Sequence, residues 1–229
     1  LNMLPALNLD FNQLERRVNE LASLLNRANF AHLRFFLDNI SHCDLTLDLR
    51  HREAFSSTGR FINEGMAGNL PSGEAYIVPY EGEIAGQSSK TQGILPLQCG
   101  DFIHLCLVKE NRITHVFSEA GADPTFEARL RQDPAAANIA ELGLGVLGEM
   151  NVEPTGRTLL DEKLSPHIAL GRSEHLGGSV GPKQFKTLEN VSHIDYVYHE
   201  KMMPRVSITS IHLEFQDSTQ IIFENGRYL

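Results

Sequence analysis

Two periodicities divide this chain. From Asp10 to about Asn29, Leu14, Val18, Leu21, Leu24 and Leu25 recur at helical spacing, and Asp10 is a residue type that caps helix starts. Most of the remainder alternates apolar and polar positions with period two, as strands do. Strands are expected at Leu33–Leu37 and Leu45–Leu49, joined by a turn at Asn39–Asp44, and at Ala75–Val78 after the Pro71-Ser72-Gly73 turn. TQGILPL, DFIHLCLV and RITHVF then read as an antiparallel meander between Thr91 and Phe117. Further strands are expected at Ala137–Val146, at HIALG, and at Ser192–Tyr198, Val206–Ile208, Ile211–Phe215 and Gln220–Phe223, the last two as a hairpin. Asp123 to about Gln132 reads as a second helix and Lys183–Leu188 as a short third. The pattern predicts an α+β fold of mostly antiparallel sheet with a few flanking helices, in one domain over residues 1–229.

Candidate chemistry concentrates between Leu159 and Asp195, where HIALG, HLGG and SHID follow one another. As strands, His167, Ala169 and Gly171 share one face, and His193 and Asp195 share another. Two neutral imidazoles and a carboxylate on one spot would suit a divalent ion such as zinc, cobalt or manganese. The competing reading is two ordinary buried strands with hydrogen-bonded histidines. Two glutamates outside this stretch stand out. Glu74 sits where a glycine-rich loop becomes a strand, although a solvated hairpin residue fits the same pattern. Glu141 stands alone in small, apolar ANIAELGLGV, where an unpartnered carboxylate is costly to bury. It is either at a surface or opposite a cation, and no basic residue lies near it in sequence. His104 and His115 fall inside the meander strands and read as structural.

Composition narrows the partners. A net charge of −9 argues against nucleic acid and an anionic membrane surface. No apolar run approaches the roughly 20 residues of a membrane helix. The opening segment has neither a signal peptide's pattern nor an initiator Met. Cys43, Cys99 and Cys106 lack CxxC spacing, so free thiols in a reducing, cytoplasmic setting are expected. Phosphate loops, nucleophile elbows and HExxH are absent.

In order along the chain, NLPSGEAYIVP, NIAELGLG, LLDEKLSPHIALG, HLGG and SHID resemble the aminopeptidase T and aminopeptidase S family of dinuclear metallo-aminopeptidases. The resemblance runs from about Arg60 to Asp195, and it implies a metal-site core at 60–195 between a leading helix (1–30) and C-terminal strands (196–229). It implies five metal ligands, Glu74, Glu141, His167, His193 and Asp195, with Asp161 and Glu162 just upstream of His167. It also implies that the chain corresponds to the family's C-terminal metal-binding domain, without most or all of an N-terminal domain that helps enclose the site. The sequence departs from the family at Glu174, where a tyrosine thought to assist catalysis is usual, and Leu147–Thr155 does not match cleanly.

The resulting expectation is a two-metal hydrolase acting on the N-terminal peptide bond of a peptide or on a small amide. Two cations about 3.5–4 Å apart would share a bridging carboxylate, with Glu141 as the expected bridge. Glu162 or Glu174 would carry the proton. A homo-oligomer is expected, a neighbouring chain walling the site through the 10–29 helix or the C-terminal hairpin. Two alternatives stand beside it. One is a non-catalytic metal-binding or regulatory domain, motivated by Glu174 and the absent enclosing domain. The other is a metallohydrolase acting on a different amide or ester.

Overall fold

A computed structural model describes residues 4–38 and 40–229. After a single helical turn, α1 (Leu4–Leu7), comes the long helix α2 (Phe11–Arg27). Asp10 caps it as expected, its carboxylate accepting from the Asn12 and Gln13 amides. Among the described residues the strands are β1 (Phe30–Leu37), β2 (Ser41–Asp48), β3 (Ala54–Ser57), β4 (Glu74–Ile77), β5 (Gln92–Cys99), β6 (Phe102–Lys109), β7 (Arg112–Ser118), β8 (Ile139–Gly145), β9 (Pro166–Gly171), β10 (His193–Val197), β11 (Val206–Glu214), β12 (Thr219–Glu224) and β13 (Arg227–Tyr228). Helices α3 (Thr125–Gln132) and α4 (Thr158–Asp161) complete the regular elements.

The strands form two antiparallel sheets. One has eight strands in the order β13-β12-β11-β1-β2-β5-β6-β7, and the other has five in the order β10-β9-β8-β4-β3. The β5–β7 meander is as expected. Three local expectations are corrected and two strands are added. Val206–Ile208 and Ile211–Phe215 are one strand, because a bulge at Thr209 absorbs the break in alternation. Lys183–Leu188 forms no helix: isolated 3-10 turns lie at Pro182–Gln184 and Leu188–Asn190. Strands β3 and β13 were not foreseen, being short and carrying little apolar pattern. The expected turn at 39–44 begins on Asn39, outside the described residues, and Ser41 is already in β2.

Both sheets contribute to one core. Leu33, Phe35, Leu45, Leu95 and Leu97 of the large sheet join Ile77, Leu142, Leu144, Ile168 and Leu170 of the small one. The Tyr198 hydroxyl donates to the Pro96 carbonyl at 2.9 Å and ties the two together. Helix α2 buries Leu14, Val18, Leu21, Ala22 and Leu25 and packs on β3 and β4. Each buried leucine contributes roughly 1.5–3 kcal/mol, and Asn26 fixes the docking by exchanging hydrogen bonds with the Ala54 backbone. Because side chains alternate, a sheet face that sends Leu142, Leu144, Ile168 and Leu170 inward sends Glu141, Gly143, His167, Ala169 and Gly171 the other way.

Candidate metal centre

That second face carries the chemistry. Strand register puts Glu141 opposite Ala169 and Ala169 opposite Asp195, so the two carboxylates flank one small residue in a single row. His167 pairs with Gly143 in the next row, His193 with Gly171, and Glu74 with Gly145. The glycines are spatial requirements. A Cβ on Gly143 would lie 2.1 Å from His167 Nε2, so only glycine lets the imidazole lie across β8. A Cβ on Gly145 would lie 2.6 Å from the Glu162 carbonyl oxygen, so glycine there admits the turn Glu162–Leu164 against the strand.

All five expected ligands converge. Glu74, Glu141 and His167 offer three ligand atoms within 4.8 Å of one another, and Glu141, His193 and Asp195 offer a second such set. Glu141 belongs to both. Its Oε1 lies 3.5 Å from His167 Nε2 and its Oε2 lies 3.1 Å from His193 Nε2. His193 Nε2 is also 3.2 Å from Asp195 Oδ1, and His167 Nε2 is 3.7 Å from Glu74 Oε2. On the far side of each ring a backbone carbonyl faces Nδ1, that of Arg172 at 2.6 Å for His193 and that of Ser165 at 3.3 Å for His167. A proton held there leaves the Nε2 lone pair aimed at the carboxylates, the arrangement a metal-ligating histidine uses.

Three atoms of this group are buried without a hydrogen-bond partner: Glu74 Oε2, His167 Nε2 and Asp195 Oδ1. His193 Nε2 lies between Glu141 Oε2 and Asp195 Oδ1, so one imidazole nitrogen faces both carboxylates. Buried polar atoms are normally paired. Orphans that face one another across a space bounded by carboxylates and imidazoles fit a divalent cation.

The electrostatics carry the same message. Burial penalises the Glu141 charge, yet the two histidines that face its oxygens outweigh it and hold the carboxyl at about 2. Asp195 is likewise held below its usual range, His193 overcoming burial. Against their own burial, Glu141 raises His167 to about 9 and Asp195 with Glu141 raises His193 to about 10. Burial drives Glu74 upward. Glu162 is pushed to about 7 by burial, Lys163 opposing and the charges of Glu74 and Asp195 adding to it.

Lys163 is the residue sequence reasoning missed. It is 2% exposed, and its ammonium donates to Glu74 Oε1 and Glu162 Oε1. Nothing in DEKLSP marks it beyond a cation next to a suspected site, since only the fold brings residue 163 against residue 74. Asp161 serves structure: its carboxylate accepts from the amides of Thr155, Gly156 and Arg157 and holds that loop. The cluster opens into a cleft of about 550 Å³, along which Ala67, Asn69, Tyr76, Leu159 and His175 lie. His175 sets its ring edge-on to His193 at 5.0 Å between centroids. Glu174 is not brought to the cluster. Its side chain is half exposed and paired with Arg172 at 2.6 Å.

Comparisons with known proteins place this architecture. No curated protein matches the sequence. Among solved structures, wild-type AmpT from Thermus thermophilus superposes with a TM-score of 0.67 and 17% identity, covering 100% of this chain and 57% of AmpT. A 2,5-dihydroxypyridine dioxygenase from Pseudomonas putida superposes with a TM-score of 0.68 and 16% identity, covering 100% of this chain and 62% of that one. The chain thus spans less than two thirds of either protein. At such identity these two establish a shared fold, and their differing names show that the fold alone does not select a reaction. Sequence does discriminate: the family model described as thermophilic metalloprotease (M29) matches residues 8–228, and the chain belongs to that metallopeptidase family.

Proposed function

We propose that this chain is a dinuclear metal-dependent aminopeptidase unit that hydrolyses the N-terminal bond of a peptide or small amide. The observation that carries the reading is Glu141, whose two carboxylate oxygens each face a different histidine and so serve two ligand sets at once. Two divalent ions, with zinc, cobalt or manganese suited to this mixed oxygen and nitrogen donor set, would be held by Glu74, Glu141 and His167 and by Glu141, His193 and Asp195. When bound, such ions lower the pKa of a shared water and polarise the scissile carbonyl.

The chain's own residues supply the rest. Glu162, at about 7 and on the cleft wall, is poised to accept a proton from water and return it to the leaving amine. The net charge of −9 draws a substrate's free α-ammonium group toward the protein and repels a carboxylate terminus. The Arg172 and Ser165 carbonyls hold the two imidazoles in one orientation. Segment 67–69 lies along the cleft while neighbouring Met66 and Leu70 are exposed, an apolar rim that a second copy of the chain would cover in a homo-oligomer.

A second reading, a metal-binding domain of the same family without turnover, is favoured by Glu174. It occupies the position of the family tyrosine and turns its carboxylate to Arg172 instead of the cluster. One preparation distinguishes the two. Chelated protein is reloaded with zinc, cobalt or manganese, metal is counted, and aminoacyl anilides, N-acetylated anilides and esters are assayed. The aminopeptidase reading expects up to two ions per chain and turnover only of substrates with a free amino group. Bound metal with no turnover selects the second reading. Turnover indifferent to N-acetylation selects a different hydrolase, and protein that takes up no metal sinks all three.

A further inference from the structure

The two halves of the cluster share Glu141, yet they are not equivalent. His193 and Asp195 face Glu141 and, among the described residues, no ammonium contacts either carboxylate. In the other half, Glu74 gives Oε1 to Lys163 and keeps only Oε2, buried and unpaired, for His167 and any ion between them. Lys163 cannot withdraw. It is 2% exposed, its second partner is Glu162, and its backbone lies where a Cβ on Gly145 would be 2.5 Å from the Lys163 carbonyl carbon. An ammonium on a ligand carboxylate does two things to a cation approaching the other oxygen. It removes one of the two oxygens the carboxylate could offer, and it repels the incoming charge across a buried, weakly screened gap.

We infer that Lys163 is a positioning residue that makes the two ion sites unequal, so that the Glu141–His193–Asp195 half fills first and tightly and the Glu74–Glu141–His167 half fills second and weakly. The inference rests on the two-ion reading above. The loosely held ion would sit beside Glu162 and Lys163, on the side where the cleft wall carries the proton acceptor, so occupancy of that half would follow the supply of free metal. The ammonium also compensates part of the charge of Glu74 and Glu162 when the second ion is away, because four carboxylates surround two imidazoles here.

Titration of chelated protein with zinc or cobalt, followed by calorimetry and by competition with a chromophoric chelator, tests this without reference to turnover. Wild type should bind in two steps at least about tenfold apart, as expected for a cation facing a buried like charge. Glu74→Gln should remove only the weaker step. Asp195→Asn should remove the tighter one. In Lys163→Met, which keeps the length and drops the charge, the weak step should tighten about tenfold or more and move toward the first, while Lys163→Arg keeps the gap. Two equal steps in wild type, loss of the tighter step in Glu74→Gln, or a weaker second step in Lys163→Met would each overturn the inference and leave metal binding itself intact. If Lys163→Met does not fold, the wild-type, Glu74→Gln and Lys163→Arg titrations still decide between these outcomes. Absence of any binding in wild type would remove the two-ion reading and this inference with it.

Discussion

Two buried carboxylate centres flank the loop at 172–181, and they are built on opposite principles. Glu81, with its side chain 2% exposed, spends both oxygens. One accepts from Asn138 and the Ser173 hydroxyl, and the other from Ser179, through amide and hydroxyl, and from Arg52. Nothing there is left for a ligand. On the small sheet Glu74, His167 and Asp195 each keep a buried atom unpaired. Equal burial therefore means different things. A satisfied centre fixes a loop, and an unsatisfied one holds a place for a cation.

The largest effect that would test this contrast is at Glu81. Glu81→Ala leaves the Asn138, Ser173 and Ser179 donors without their acceptor and Arg52 with Glu83 alone, and should cost about 3–5 kcal/mol, equally in chelated and zinc-loaded protein, by thermal or urea denaturation. A loss that depends on zinc would mean the two centres are not distinct.

Glu141→Gln should show the opposite dependence. In loaded protein it removes a ligand shared by both sets, at a cost on the order of 3–5 kcal/mol with loss of at least one ion. In chelated protein it forfeits only its pairs with His167 and His193, about 1–3 kcal/mol. Calorimetry with and without zinc reads the difference, and equal shifts would take Glu141 out of the metal site.

Gly143→Ala tests the floor. Its methyl would collide with the His167 ring, and overpacking of this kind costs typically 1–3 kcal/mol. Metal counting should show one ion fewer, whereas full occupancy would mean that His167 is not a ligand.

The pH dependence should also separate chelated from loaded protein. His167 and His193 have folded-state values of about 9 and about 10, above the ordinary 6.5. Their ion pairs therefore stabilise chelated protein fully below about pH 6.5, and that contribution is lost as pH rises through 9 and 10. Ligation requires neutral rings, so ion binding at pH 7–8 should release up to two protons and tighten with pH. Melting temperatures of the two forms should diverge between pH 7 and 9. A gap independent of pH would rule out proton displacement from the histidines.

The smallest effect belongs to Glu174. Its half-exposed pair with Arg172 is worth well under about 1 kcal/mol, so Glu174→Gln should leave stability and metal content unchanged. Loss of an ion in that variant would bring Glu174 back into the site.

The sequence by itself determined the faces. Period two places His167 with Ala169 and Gly171, and His193 with Asp195, because backbone geometry alone fixes alternation. Likewise the spacing of Leu14, Val18, Leu21 and Leu25 and the cap at Asp10 specified α2. The lone Glu141 in an apolar strand was legible as an electrostatic problem, though not its solution, since its partners lie 26 and 52 residues further on. Only tertiary structure decided that the strand order β10-β9-β8-β4 would bring the rows that face away from the core on four strands onto one floor. That order is set by packing of the apolar faces against the large sheet, a non-local property that no window of residues contains. The same holds for Lys163 and Glu81. A lysine after DE and a glutamate after PY look solvated in sequence, and each became buried because a glycine or a serine far along the chain left room, or supplied a donor, at the right place.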